Sequence, residues 1–185
     1  GIDFSDEGFY LVWISNPSKY SASVWLFGFI YHPFYELLHG NIVVLRQLNI
    51  LITFFLAWLL INFTLKSFFQ KESFEGISRS VISAAFATVS LVFLRLWIPT
   101  PSYNWLAFQA LMISAIGLLL IDRKNSTESI VGCVLLGIGG WLVFMAKPTT
   151  AAALGFCSYF YLLASGKYVI RSLIISPSIA FGLVV

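Results

Sequence analysis

Six residues able to do chemistry crowd the start of this chain: Asp3, Asp6, Glu7, His32, Glu36 and His39. They fall within 37 residues, although the 185-residue chain holds only eight acids and two histidines in all. If residues 3–10 are helical, Asp3, Asp6 and Glu7 share one face through i,i+3 and i,i+4 spacing. His32, Glu36 and His39 share a face in the same way over 32–39, with Pro33 leaving only the later turns comfortably helical. Such a set offers a general base and hard oxygen ligands for a divalent cation. Beside a membrane surface, that base would suit an acceptor deprotonated as it attacks a lipid-linked donor. The plainer reading, solvated charges at a headgroup boundary, stays open on spacing alone.

Three basic residues form a second set: Arg46, Arg95 and Lys147. Each sits at the end of an apolar run, where snorkelling to headgroups explains it. The same cations would also hold an anionic phosphate or pyrophosphate lipid. Between them, Pro99-Thr100-Pro101-Ser102-Tyr103-Asn104-Trp105 reads as a rigid turn with aromatic ends. Alternatively, Tyr103, Asn104 and Trp105 form a substrate-contacting rim that hydrogen-bonds or stacks.

The elements that must position these residues are membrane helices. The chain is 59% hydrophobic, 17% aromatic and 10% charged, against about 25% charged in ordinary soluble domains. Mean hydropathy is +0.89. Runs of about 20 apolar residues predict an all-α polytopic bundle with five full spans at 47–69, 80–98, 103–121, 130–146 and 149–165. A sixth run, 172–185, is cut short. Residues 1–46 form a loop with interfacial helices, and 47–185 form the bundle. The run Ala22–Tyr31 is about half a spanning length, so it reads as interfacial or re-entrant, ended by His32-Pro33. The chain opens on an acidic, aromatic stretch and stops in an apolar run, so both ends read as cuts.

Basic residues set the expected orientation. Lys66, Lys71, Arg79, Arg123, Lys124, Lys167 and Arg171 fall on one side, and Lys19, Arg46, Arg95 and Lys147 on the other. The richer side is expected to be cytoplasmic, which puts the acidic loop, the Pro99–Tyr103 turn and Lys147-Pro148 outside. A net charge of +3 is too small to suggest nucleic-acid binding. Asn62-Phe63-Thr64 and Asn125-Ser126-Thr127 match a glycosylation pattern but fall at cytoplasmic ends. Gly132, Gly137, Gly139 and Gly140 fail the phosphate-loop spacing and, with Ala151 and Gly155, are expected to permit close helix packing. Cys133 and Cys157 lie in apolar runs outside any metal or redox motif and read as small buried hydrophobes.

Asp6-Glu7-Gly8-Phe9-Tyr10 resembles the "DE plus aromatic" signature in the first external loop of GT-C membrane glycosyltransferases. The nearest likeness is to bacterial relatives of protein O-mannosyltransferases and aminoarabinose transferases. Asn41-Ile42-Val43-Val44-Leu45-Arg46 resembles that family's junction between loop and second helix. Gly139-Gly140-Trp141-Leu142-Val143-Phe144-Met145-Ala146-Lys147-Pro148 resembles its small-residue helix ending in a lysine turn. The likeness runs the length of the chain, though a preceding span and the later spans of the family fall outside it. It implies transfer of a sugar from a polyprenyl-phosphate-linked donor to an acceptor at the outer face of a bacterial inner membrane. Asp6 would be the base, and Glu7 would support acceptor or metal binding, with a divalent cation (Mg or Mn). Lys147 and Arg46 would hold the donor phosphate. His32 and Glu36 have no counterpart in the family pattern. Two rival classes remain: a transporter or flippase, which would place ionisable residues at the midplane, and a non-catalytic membrane scaffold.

Overall fold

The structure is a computed structural model that describes residues 4–20, 23–68, 77–92, 98–121, 126–165 and 169–183. Among these residues every regular element is helical. The chain order is α1 (Phe4–Ser15), a 3₁₀ turn (Pro17–Tyr20), α2 (Phe27–Leu37), α3 (Ile42–Phe68), α4 (Ile77–Ala87, extended as 3₁₀ through Thr88–Val92), α5 (Tyr103–Ile121), α6 (Ser126–Ala146), α7 (Pro148–Ser165) and α8 (Val169–Gly182). Among the described residues three stretches are long and apolar enough to cross a membrane: Ile42–Phe68, Tyr103–Ile121 and Thr127–Ala146. The 27 residues of α3 rise about 40 Å at 1.5 Å each, more than the roughly 30 Å of a hydrocarbon core. The described part of the run expected at 80–98 is the shorter helix Ile77–Val92, and Arg95 lies outside the described residues.

Local sequence sets several boundaries. Asn41 caps α3: its side-chain oxygen accepts from the Val44 N–H at 3.2 Å, and its carbonyl accepts from the Leu45 N–H at 3.0 Å. The helix therefore begins at Ile42 rather than 47, and Arg46 stands inside its second turn instead of ahead of it. Pro148 begins α7 directly after α6, where a missing N–H costs nothing. By contrast, His32-Pro33 does not end α2, which continues to Leu37 with Pro33 inside it. Burial of Phe27, Gly28 and Tyr31 on one face holds the helix through the lost hydrogen bond. It ends instead at His39 (φ 51°) and Gly40 (φ 72°), where left-handed residues turn the chain into α3. His39 is therefore off the helix, and the face expected to join His32, Glu36 and His39 does not form.

Helices α5 and α6 make the central hairpin, and small residues bring them together. A Cβ on Gly132 would stand 2.6 Å from the Gly117 carbonyl oxygen and 2.7 Å from the Ile121 nitrogen. Gly139 meets Ser114 across the same hairpin, and Gly137 meets Ile179 and the Ser176 carbonyl of α8. Gly140 and Gly155 face open space, so they do not serve that packing. Helix α3 joins the hairpin through a buried polar cluster. Gln109 Nε2 donates to Asn49 Oδ1 at 2.8 Å and to Thr53 Oγ1 at 2.9 Å, while the Tyr31 hydroxyl donates to Gln109 Oε1 at 3.2 Å. Asn49 Nδ2 donates to the Pro99 carbonyl at 3.1 Å. Fully paired, such a cluster fixes register between α2, α3 and α5.

Helices α1 and α2 cap one end of this bundle. Tyr10, Trp13, Ile14, Phe27 and Tyr31 form a core with Leu45, Leu106, Ala107 and Ala146, drawn from the start of α3, the start of α5 and the end of α6. The cap is pinned by the Leu26 N–H donating to the Met145 carbonyl at 2.8 Å. Cys133 is buried as expected, whereas Cys157 is exposed.

Candidate functional site

The capped end collects most of the residues singled out by type and spacing. Helix α1 sets Glu7 on the side facing the bundle and leaves Asp6 exposed. The Glu7 carboxylate accepts from Arg46 Nη2 in an ion pair and from the Thr100 hydroxyl. Arg46 Nε also donates to Thr100 Oγ1 at 3.0 Å. One carboxylate thus ties α1 to α3 and to the Pro99–Ser102 turn, and Thr100 is completely buried in that clamp. Sequence reasoning saw Thr100 only as part of a turn. Its role depends on a pairing across 93 positions, which no local pattern carries.

Lys147 has a different environment. Its Nζ donates to Asn104 Oδ1 at 2.5 Å and lies 4.8 Å from the centre of the Tyr103 ring. Among the described residues no carboxylate pairs with it. Lysine can only donate, so the Asn104 oxygen must face Lys147 and its amide nitrogen must point elsewhere. That nitrogen is buried, and among the described residues it has no acceptor. A buried donor left unpaired costs about 1–3 kcal/mol. An ammonium without a counter-ion beside such an amide favours an anionic, oxygen-rich ligand.

Aromatic rings bridge these two groups. Tyr10 stands one turn after Asp6 on α1 and meets Tyr103 edge-on, with ring centres 5.8 Å apart. Burial pushes the Tyr10 hydroxyl above the ordinary tyrosine range, and Tyr103 and the Asp6 carboxylate push the same way. Tyr10 is therefore a protonated donor at neutral pH. Tyr103 is occupied by protein partners: Trp25 stacks on it at 5.3 Å and 12°, and Phe27 meets it at 6.1 Å. Trp105, expected on the same rim, is instead buried with its Nε1–H on the Ile98 carbonyl at 2.7 Å. Tyr10 and Trp25 belong to the site although spacing did not single them out; the aromatic partner of the Asp6-Glu7 pair was the available signal for Tyr10.

The histidines do not join. His32 Nδ1 donates to the Ile14 carbonyl at 2.8 Å, which fixes α2 against α1. Asp3 lies outside the described residues. Among the described residues, no group of three or more His, Cys, Asp or Glu side chains is placed to hold a metal ion. Comparison with protein families, with characterised proteins and with solved structures gives no match to this chain.

Proposed function

We propose that this chain is part of an integral membrane glycosyltransferase of GT-C-like architecture. It would move a sugar from a polyprenyl-phosphate-linked donor to an acceptor at the outer face of a bacterial inner membrane. The observation that carries this reading is that the Glu7–Arg46 pair and the Lys147–Asn104 pair lie at one capped end of the bundle, with Asp6 exposed on the same cap and Lys147 lacking a carboxylate partner among the described residues. In the proposed reaction the Asp6 carboxylate takes the acceptor proton as the acceptor oxygen or nitrogen attacks the anomeric carbon. The bond from that carbon to the phosphate oxygen breaks, and the charge on the departing polyprenyl phosphate is offset by Lys147. Arg46 is the lesser phosphate ligand because Glu7 and Thr100 already engage it. Glu7 in turn holds α1 in place and contacts substrate only indirectly. If a divalent cation, Mg or Mn, is used, Glu7 is the carboxylate here that would help hold it, and it would supply charge to offset the donor phosphate.

Two further features support a lipid-linked donor. A cavity of about 160 Å³ lies between α6, α7 and α8, lined by Gly140, Ala151, Gly155, Ser158 and Pro177 among others. Its α7 wall begins at Ala151, one turn beyond Lys147, and suits a hydrocarbon chain. Helices α3 and α7 also leave Leu51, Phe55, Phe156, Phe160 and Leu163 exposed, an apolar surface that suits a lipid surrounding. Five spans, with the capped end outside, complete the proposed topology. Replacing Asp6 with Asn in the full-length protein is expected to abolish transfer from a panel of polyprenyl-linked sugars while expression is retained. Undiminished turnover by the variant overturns the assignment.

A further inference from the structure

Resting on that reading, we infer that Trp25 is the platform on which the donor's sugar ring stacks, so that it governs affinity for the sugar and not for the lipid phosphate. Tyr103 cannot serve, since Trp25, Phe27, Tyr10 and Lys147 already surround its ring. Trp25 stacks on Tyr103 and lies 6.4 Å from Trp13, yet keeps 39% of its surface exposed. Its backbone is held on both sides of the ring. Ser23 Oγ accepts from the Trp25 N–H at 3.2 Å, and the next residue, Leu26, is hydrogen-bonded to Met145, two positions before Lys147. The indole is therefore a held, partly exposed aromatic surface stacked on the same Tyr103 ring that Lys147 approaches. Beside that ring the Lys147 ammonium, held by the Asn104 oxygen and paired with no carboxylate among the described residues, is the group that would receive the donor phosphate. A pyranose presents one apolar C–H face and a rim of hydroxyls. With its phosphate at Lys147, the C–H face meets the indole.

A purely structural role for Trp25, such as anchoring at the headgroups, predicts a different pattern, and kinetics separate the two. Full-length Trp25→Leu and Trp25→Phe are compared with wild type in transfer from a polyprenyl-linked sugar, with sugar-free polyprenyl phosphate as a competitive inhibitor. Stacking on an aromatic face supports a rise in donor KM of about fivefold for Trp25→Leu, with Trp25→Phe recovering part of it. The inhibition constant of the sugar-free lipid and kcat stay within about twofold. If KM and the inhibition constant rise together, or if neither moves, Trp25 does not contact the sugar and the inference falls. If Trp25→Leu fails to fold, Trp25→Phe decides by the same comparison. Absence of transfer by wild type with every donor overturns the transferase reading and this inference with it.

Discussion

The clamp of Glu7, Arg46 and Thr100 can be tested apart from any activity. Removing the Glu7 carboxylate deletes two hydrogen bonds, both charge-assisted and together worth about 3–6 kcal/mol before solvent is considered. The Glu7 side chain is 16% exposed and that of Arg46 34%, so water reclaims part of the guanidinium and the net loss for Glu7→Ala is about 2 kcal/mol. On the scale of a globular domain of this size, that is about 4–8 °C in melting midpoint. The protein carries its own reporter: Cys133 is buried and Cys157 exposed. In a Cys157→Ser background, a thiol-reactive fluorophore labels Cys133 only as the detergent-solubilised bundle opens. Glu7→Ala and Arg46→Met should each lower the midpoint. The double variant should fall short of their sum by about 1–2 kcal/mol, because both remove the same interaction. Strict additivity, or no change for Glu7→Ala, refutes the clamp. A Glu7→Gln variant with an unaltered midpoint but no transfer would instead return Glu7 to the chemistry.

The same assay tests the packing that carries the site. Gly132→Ala forces a methyl against the α5 backbone and should destabilise by about 1–3 kcal/mol. Gly140→Ala meets open space and should be neutral or stabilising by up to about 1 kcal/mol; equal effects at the two positions would refute the close crossing of α5 and α6. Gln109→Leu leaves Tyr31, Asn49 and Thr53 short of partners and should cost about 2–4 kcal/mol. An unchanged midpoint there would mean that α3 is held to the hairpin by apolar contact alone.

What could be read in the sequence was what depends on neighbours along the chain. Lys147-Pro148 marks a helix boundary because proline acts on its own turn, and the apolar runs locate α3, α5 and α6 to within a few residues. Glycines were legible as packing residues only in part. Gly139 and Gly140 are adjacent, yet a helix turns about 100° between them, so one faces Ser114 and the other an open groove. Composition cannot say which. The charges show the same limit more sharply. Arg46 and Lys147 were equivalent candidates by type and by position at the ends of apolar runs. Folding brings Glu7 to Arg46 across 39 positions and, among the described residues, brings a neutral amide and a ring to Lys147. In a chain with so few acids, spending Glu7 on Arg46 is what leaves Lys147 uncompensated among the described residues. A half-buried, uncompensated ammonium favours an incoming anion by the charge its neighbours do not supply. The asymmetry between two cations that look alike in sequence is therefore the strongest physical reason to place the donor phosphate at Lys147.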